Sequence, residues 1–301
     1  MALVGPKPMF YRRKLLLGLL EALDRPLTHT ALQKYLFLVC VDQDNPSYEF
    51  VPFHYGCYSF QAAADKRTLS KYGRLRDSDL WIRNKNYRYV KHLDSADFAH
   101  VCSVVESVGH LRGERLIRYV YEKYPYYAIN SQIADKLLDS RNREAVNAAR
   151  PTGSPARLFT IGYEGRTLEG YLNDLIAQNI QVLCDVRRNP ISRKFGFSKR
   201  QLQGAVEGLG MEYIHIPELG IDSAKRRDLE SDEDYRILFD DYTRTTLVDQ
   251  QPALDRIAKL IRSGGRIALT CYEASPTSCH RGCVVEALRS RSEFRHRVMH
   301  L

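Results

Sequence analysis

Apolar positions recur at helical spacing through the first forty residues. Leu15, Leu16, Leu19, Leu20 and Leu23 share one face. Thr28 then precedes Leu32, Tyr35, Leu36 and Val39, which predicts a second helix capped by the threonine. "YEFVPFHYGCYSF" is aromatic and β-branched and turns at Gly56, as strand sequence does. "FQAAADKRTLSKYGRL" predicts a third helix with Lys66, Arg67, Lys71 and Arg74 on a basic face, and "WIRNKNYRYVK" alternates like a hairpin. Its turn falls at Asn84, Lys85 and Asn86, with Arg83, Arg88 and Lys91 around it. "NAARPTGSPARL" has linker composition and places a domain boundary near Pro151.

Beyond that boundary the pattern changes. "RLFTIGYEG", "IQVLCDVR", "MEYIHIPELG" and "RIALTCYE" read as strands, and "IQVLCDVR" is apolar nearly throughout, as a strand buried on both faces is. Helical segments separate them. Leu168, Tyr171, Leu172, Leu175 and Ile176 share a face, Ser198 and Gln201 have capping-box spacing, and Pro252 opens a helix that ends in glycines. "CHRGCVVEALRSR" follows the fourth strand. Such alternation predicts an α/β fold, a parallel sheet with helices on both faces, preceded by a mainly helical, winged-helix-like first half.

Charge sharpens the picture. Residues 1–150 hold 23 Lys and Arg against 16 Asp and Glu, a net of +7, whereas residues 151–301 carry the other +2 of the +9 total. An uneven basic balance points to a polyanion, expected here to be double-stranded DNA. Lys66, Arg67, Lys71, Arg74, Arg83, Lys85 and Arg88 are the candidate DNA contacts. A protein partner for the same module is the competing reading. The longest apolar runs are far short of a membrane span, and the seven cysteines are odd in number with no C-x-x-C pair. A cytoplasmic protein without membrane or disulfide framework is expected.

In an open parallel sheet, ligands bind beyond the carboxyl ends of the strands. This chain places there Tyr163 and Glu164, then Asp185, Arg187, Asn189, Ser192, Arg193 and Phe195, then Cys271, Tyr272 and Glu273, and finally Cys279, His280 and Arg281. Arg187, Arg193 and Arg281 suit an anion, by cation and helix dipole together. Asp185 and Glu273 are the favoured acid–base pair, with Glu164 in reserve, because hydrolysis needs one ionised and one protonated carboxyl. Ion pairing with the arginines would leave the same sequence trace. Cys279 near a helix start, beside His280, is a candidate nucleophile, against the default of a buried structural thiol. Cys271, Cys279 and His280 are zinc-ligand types, but Cys279 and His280 are adjacent and C-x7-C-H is no standard spacing. No metal and no cofactor is therefore expected.

The stretches "IGYEGRTLEGYL", "LCDVRRNPISRKFGFSKRQL", "GMEYIHIPELG" and "LTCYEASPTSCHR", in this order, closely resemble the domain-of-unknown-function family 488 over about residues 158–290. The resemblance implies that Tyr163, Glu164, Asp185, Arg187, Pro190, Ser192, Cys271, Glu273, Cys279, His280 and Arg281 are the pattern residues. The order "KYLFLV…F…FHYGCYSF" loosely resembles the Panacea (SocA-like) antitoxin domain over residues 10–95, which implies a protein partner. Together these features predict a DNA-binding enzyme acting on a nucleotide or nucleobase. A metal-independent glycosylase-type hydrolase of damaged or modified bases, in repair or phage defence, fits the residue set. The alternative is a non-enzymatic regulator that senses a small anionic ligand.

Overall fold

A computed structural model describes residues 9–226 and 231–301. The chain divides into two compact units, Met1–Arg150 and Pro151–Leu301.

The first unit is mainly helical. Its helices are α1 (Tyr11–Leu23), α2 (His29–Cys40), α3 (Phe60–Lys71), α4 (Ser95–Val108), α5 (Gly113–Lys123), α6 (Ala134–Leu137) and α7 (Ser140–Ala148). Leu15, Leu16, Leu17, Leu19 and Leu20 are all buried, so α1 is enclosed on more than the single face its periodicity marked. Thr28 caps α2 by accepting from the Ala31 amide at 3.2 Å. The antiparallel pair of the unit, β1 (Val51–Phe53) and β2 (Gly56–Tyr58), lies between α2 and α3. Gly56 at φ +91° supplies the left-handed residue this tight turn requires.

The segment expected to form a hairpin does not pair with itself. Trp81 bridges back to Leu27, and Arg83 bridges to Leu75. Two forces override the alternation. The indole of Trp81 is fully buried, and the basic side chains find local acceptors. Lys85 pairs with Asp24 at 2.9 Å, Arg88 reaches Glu21 at 3.7 Å, and Arg83 donates to the Tyr87 carbonyl at 2.7 Å. Lys66 donates to the Asp79 carbonyl at 2.7 Å, and Arg74 lies 3.7 Å over the Tyr87 ring. Of the seven basic residues singled out in this unit, Arg67 and Lys71 are the exposed ones without such a contact.

The second unit is an α/β domain. Its elements run β3 (Leu158–Gly162), α8 (Leu168–Ala177), β4 (Val182–Asp185), α9 (Lys199–Gly208), β5 (Glu212–His215), α10 (Asp232–Arg244), α11 (Thr246–Asp249), α12 (Gln251–Arg262), β6 (Ile267–Cys271), α13 (His280–Arg289) and β7 (Val298–His300). The five strands are parallel in the order β5-β4-β6-β3-β7, so β6 is central. Leu158, Val182, Cys184, Ile267 and Leu269 face a cluster that includes Leu254 and Ile257 of α12 and Val284 of α13. Thr270 faces the other way, where Tyr171 of α8 donates to it at 2.8 Å. Helices therefore cover both faces. Ser198 does not cap α9 as its spacing implied. Its hydroxyl donates to the Ser192 carbonyl at 2.9 Å and accepts from the Ser192 amide at 3.1 Å, closing the loop ahead of the helix. Neither α10 nor β7 was expected from the apolar pattern. No helix among the described residues is long and apolar enough to cross a membrane.

Two ionisable clusters make the first unit testable. Buried Asp65 accepts from Arg12 at 2.8 Å, Arg13 at 2.7 Å and the Tyr48 hydroxyl at 3.0 Å. Asp65→Ala strands two partly buried guanidinium groups and should cost on the order of 3 kcal/mol, read as a lower urea midpoint. His29 accepts from the Trp81 indole at 3.3 Å, and burial followed by Lys66 and Lys34 holds its pKa below the ordinary imidazole value. A depressed folded value means that stability is complete above about pH 6.5 and is lost as pH falls through the folded pKa. The urea midpoint should drop between pH 7.5 and 5.5, and His29→Gln should flatten that slope.

Candidate active site

The carboxyl ends of β3, β4 and β6 meet at one rim, and β4 and β6 are direct neighbours with Asp185 opposite Thr270. At its centre Asp185 is fully buried. Its Oδ1 accepts from the Arg187 amide at 3.1 Å and Arg187 Nε at 2.8 Å. Its Oδ2 accepts from Arg187 Nη2 at 2.5 Å and the Tyr213 hydroxyl at 2.5 Å. Each oxygen thus has two donors, which satisfies an ionised carboxylate. Burial opposes the Arg187 charge, but the Asp185 contacts outweigh it and raise the guanidinium pKa. Burial and then Asp185 likewise push the Tyr213 phenol up. Asp185 is therefore occupied in holding Arg187, and its expected role in proton transfer has no geometry to support it.

Arg187 continues the chain of contacts. Its Nη1 donates to the Tyr163 hydroxyl at 3.1 Å and the Phe197 carbonyl at 2.9 Å. Tyr163 stacks on Phe197 with centroids 4.4 Å apart and meets Tyr272 edge-on at 5.3 Å. Lys194 donates to the Tyr163 carbonyl at 2.9 Å, and burial lowers its pKa. His215 Nε2 lies 2.9 Å from the Arg187 carbonyl. Gly220 comes so close to Arg188 that a Cβ there would sit 2.1 Å from the Arg188 amide nitrogen. Tyr163 is thereby a packed ring that is almost fully buried and still contributes to the cavity wall, as does Arg187. Phe197, Tyr213 and His215 had no distinguishing signal in the sequence, because each acts through a contact distant along the chain.

A cavity of about 340 Å³ opens over this network. Its wall includes Arg188, Asn189, Ser192, Arg193, Tyr272 and Glu273. Arg188, Asn189 and Arg193 are exposed, and Tyr272 is 46% exposed. Arg188 was not among the expected contacts, and Phe195 does not line the cavity. Glu273 is half-buried, and its Oε2 lies 3.2 Å from Cys271 Sγ. Glu273 also borders a second cavity of about 770 Å³ that includes Glu164, Tyr235 and Phe239. Glu164 is engaged in accepting from the Ala274 amide at 2.9 Å, which ties down the loop after β6.

The expected anion contact Arg281 is fully buried and turns inward. It donates to the backbone carbonyls of Glu273 at 2.5 Å and Ala274 at 2.7 Å. Gly162 on the adjacent strand makes room for this loop, since a Cβ there would meet the Glu273 carbonyl at 1.8 Å. His280 is also fully buried, with Nε2 3.0 Å from the Val186 carbonyl. Cys279 is buried, and burial and then Cys271 push its thiol well above its ordinary pKa, the direction opposite to that of an activated nucleophile. Cys271 Sγ and Cys279 Sγ lie 3.8 and 3.9 Å from His280 Nδ1, a set of donors that could hold a metal ion.

Residues 167–288 match the family described as Domain of unknown function DUF488. The matched segment makes up most of the second unit. The match spans the Asp185–Arg187 pair, the loop that lines the cavity and the Cys271–Arg281 segment. Tyr163 and Glu164, read as pattern residues, lie just outside the matched segment. No curated protein and no solved structure matches the chain.

The second unit should depend on Asp185 for stability more than for chemistry. Asp185→Ala leaves the Arg187 charge buried and uncompensated, and should cost about 3–5 kcal/mol. Urea unfolding monitored by circular dichroism checks this. A loss below about 1 kcal/mol would contradict the structural role.

Proposed function

We propose that this chain is a hydrolase acting on a nucleotide of nucleic acid, with the glycosidic bond between base and sugar as its target. One observation carries the reading: Glu273 is the carboxylate in the wall of the smaller cavity, beside the exposed ring of Tyr272 and the exposed cations Arg188 and Arg193. A cavity of about 340 Å³ suits a single mononucleotide-sized ligand. Phosphate would take Arg188 and Arg193 with Asn189 and Ser192, and the base would stack on Tyr272. A stacked base has to leave the duplex to reach such a pocket. Glu273 accepts a proton from water as the water oxygen bonds to the sugar carbon. The carbon–nitrogen bond breaks in the same displacement, and the base departs with the electron pair and takes up a proton. The net charge of +7 in residues 1–150 supports nucleic acid as the carrier of that nucleotide.

A regulator that reads an anionic ligand is the second reading. It is favoured by the internal bonding of Lys66, Arg74, Arg83, Lys85 and Arg88, which leaves the first unit fewer cations for a duplex.

Mass spectrometry separates the two. The full chain is incubated with ordinary DNA and with DNA carrying damaged or hypermodified bases. Released base and new abasic sites are expected, and Glu273→Gln should lower their rate by about 100-fold or more with binding retained. Intact DNA throughout, with nucleotide binding unaffected by Glu273→Gln, would instead establish the regulator.

A further inference from the structure

The loop after β6 and the start of α13 gather soft donors that the reading above does not use. Cys271 Sγ, Cys279 Sγ and His280 Nδ1 all lie within 4.8 Å of one another, and all three residues are buried. We propose that Cys271, Cys279 and His280 bind a zinc ion whose fourth coordination position faces the smaller cavity.

The distances fit. Zinc–sulfur bonds of about 2.3 Å and a zinc–nitrogen bond of about 2.0 Å at tetrahedral angles set sulfur and nitrogen about 3.5 Å apart. The observed separations of 3.8 and 3.9 Å need only a small contraction. The orientation of the imidazole fits as well. The Val186 carbonyl can only accept, so His280 Nε2 carries the proton and Nδ1 turns its lone pair toward the two sulfurs. A backbone carbonyl behind the distal nitrogen is the usual support of a ligating histidine. Adjacency of Cys279 and His280 is no obstacle. Cys279 is extended, at φ −145° and ψ 139°, whereas His280 is the first residue of α13, and the change in backbone direction brings both side chains to one point.

The charge balance is compatible with such a site. The fully buried guanidinium of Arg281 is held by two backbone carbonyls, so its charge lacks a carboxylate partner in those contacts. Zinc with two thiolates is neutral, and the neighbouring Glu273 carboxylate would then balance Arg281. Two thiolates and an imidazole select zinc over magnesium or calcium, which require oxygen donors.

Cys271 and Glu273 both line the smaller cavity, which sets one of the three donors in its wall, while Cys279 lines a separate cavity of about 570 Å³. Three protein ligands with an open position characterise hydrolytic zinc, which lowers the pKa of its bound water to about 7. That water would pass its proton to Glu273. This last step rests on the hydrolase reading, whereas the metal site rests on donor geometry alone. Two cysteines, one histidine and a nearby glutamate that is not a ligand are also the set with which zinc deaminases activate water against nucleobases.

Elemental analysis of the full chain purified under reducing conditions tests the proposal. About one zinc per chain is expected, and cobalt(II) in its place should give visible bands of tetrahedral geometry with thiolate charge transfer in the near ultraviolet. Cys271→Ser and Cys279→Ser should each lose those bands, while Cys102→Ser and Glu273→Gln keep them. A folded wild-type chain that retains less than about a tenth of an equivalent of zinc after loading and desalting, and shows no cobalt bands, would overturn the site. So would bands unchanged in Cys271→Ser or Cys279→Ser. Bound zinc without any turnover on nucleic acid would uphold the metal site and remove the hydrolase reading.

Discussion

One buried ion pair holds the ends of β3, β4 and β5 together at the rim of the second unit. Asp185 and Arg187 are two residues apart, at the point where β4 gives way to the loop that lines the cavity. Removing both charges from water costs several kcal/mol, and such a pair is sustained only when its other hydrogen-bonding positions are also filled. Here Tyr213 fills the carboxylate from β5, and Tyr163 with the Phe197 carbonyl fills the guanidinium from β3 and the loop. The pair therefore fixes three strand ends to one another. The arginine that looked like a ligand grip is the bolt of the scaffold, and Arg188 beside it is exposed in the cavity wall.

Glu273 owes its position to a separate set of constraints. Its carbonyl is held by Arg281, its neighbour Ala274 by Glu164, and the absent side chain of Gly162 lets its backbone lie against β3. A carboxylate on an otherwise exposed loop is thus held by its backbone from several sides. This preorganisation matters for acid–base chemistry, where small displacements forfeit most of the rate.

Much of this was legible in the sequence, and the losses are instructive. Alternating apolar runs announced the parallel sheet, and the rule that ligands gather at strand carboxyl ends identified the rim. Direction of side chains was not legible. Asp185, Glu164 and Glu273 are equivalent as residue types, and only tertiary contacts show two of them engaged in holding the scaffold. Adjacent Cys279 and His280 argued against a common ligand until the backbone turn between them was known. In the first unit, period-2 alternation at Trp81–Lys91 predicted a hairpin, but the burial of one indole and pairing of Lys85 and Arg88 with α1 and its C-cap determined the path instead.

The central position of β6 has a consequence for biogenesis. This strand lies between β3 and β4, yet its partners Leu158 and Val182 precede Ile267 by most of the unit's length. Pairings so distant along the chain are slow to form, because loop closure must be completed before the contacts reward it. During synthesis β4 can pair with β5, whereas β3 waits without a strand partner until the residues up to Cys271 leave the ribosome. The Asp185–Arg187 pair and Tyr213 belong to the part already made, whereas Glu273 and the thiols of Cys271 and Cys279 arrive only with β6 and the loop after it, so the cavity wall is among the last parts of the unit to be completed.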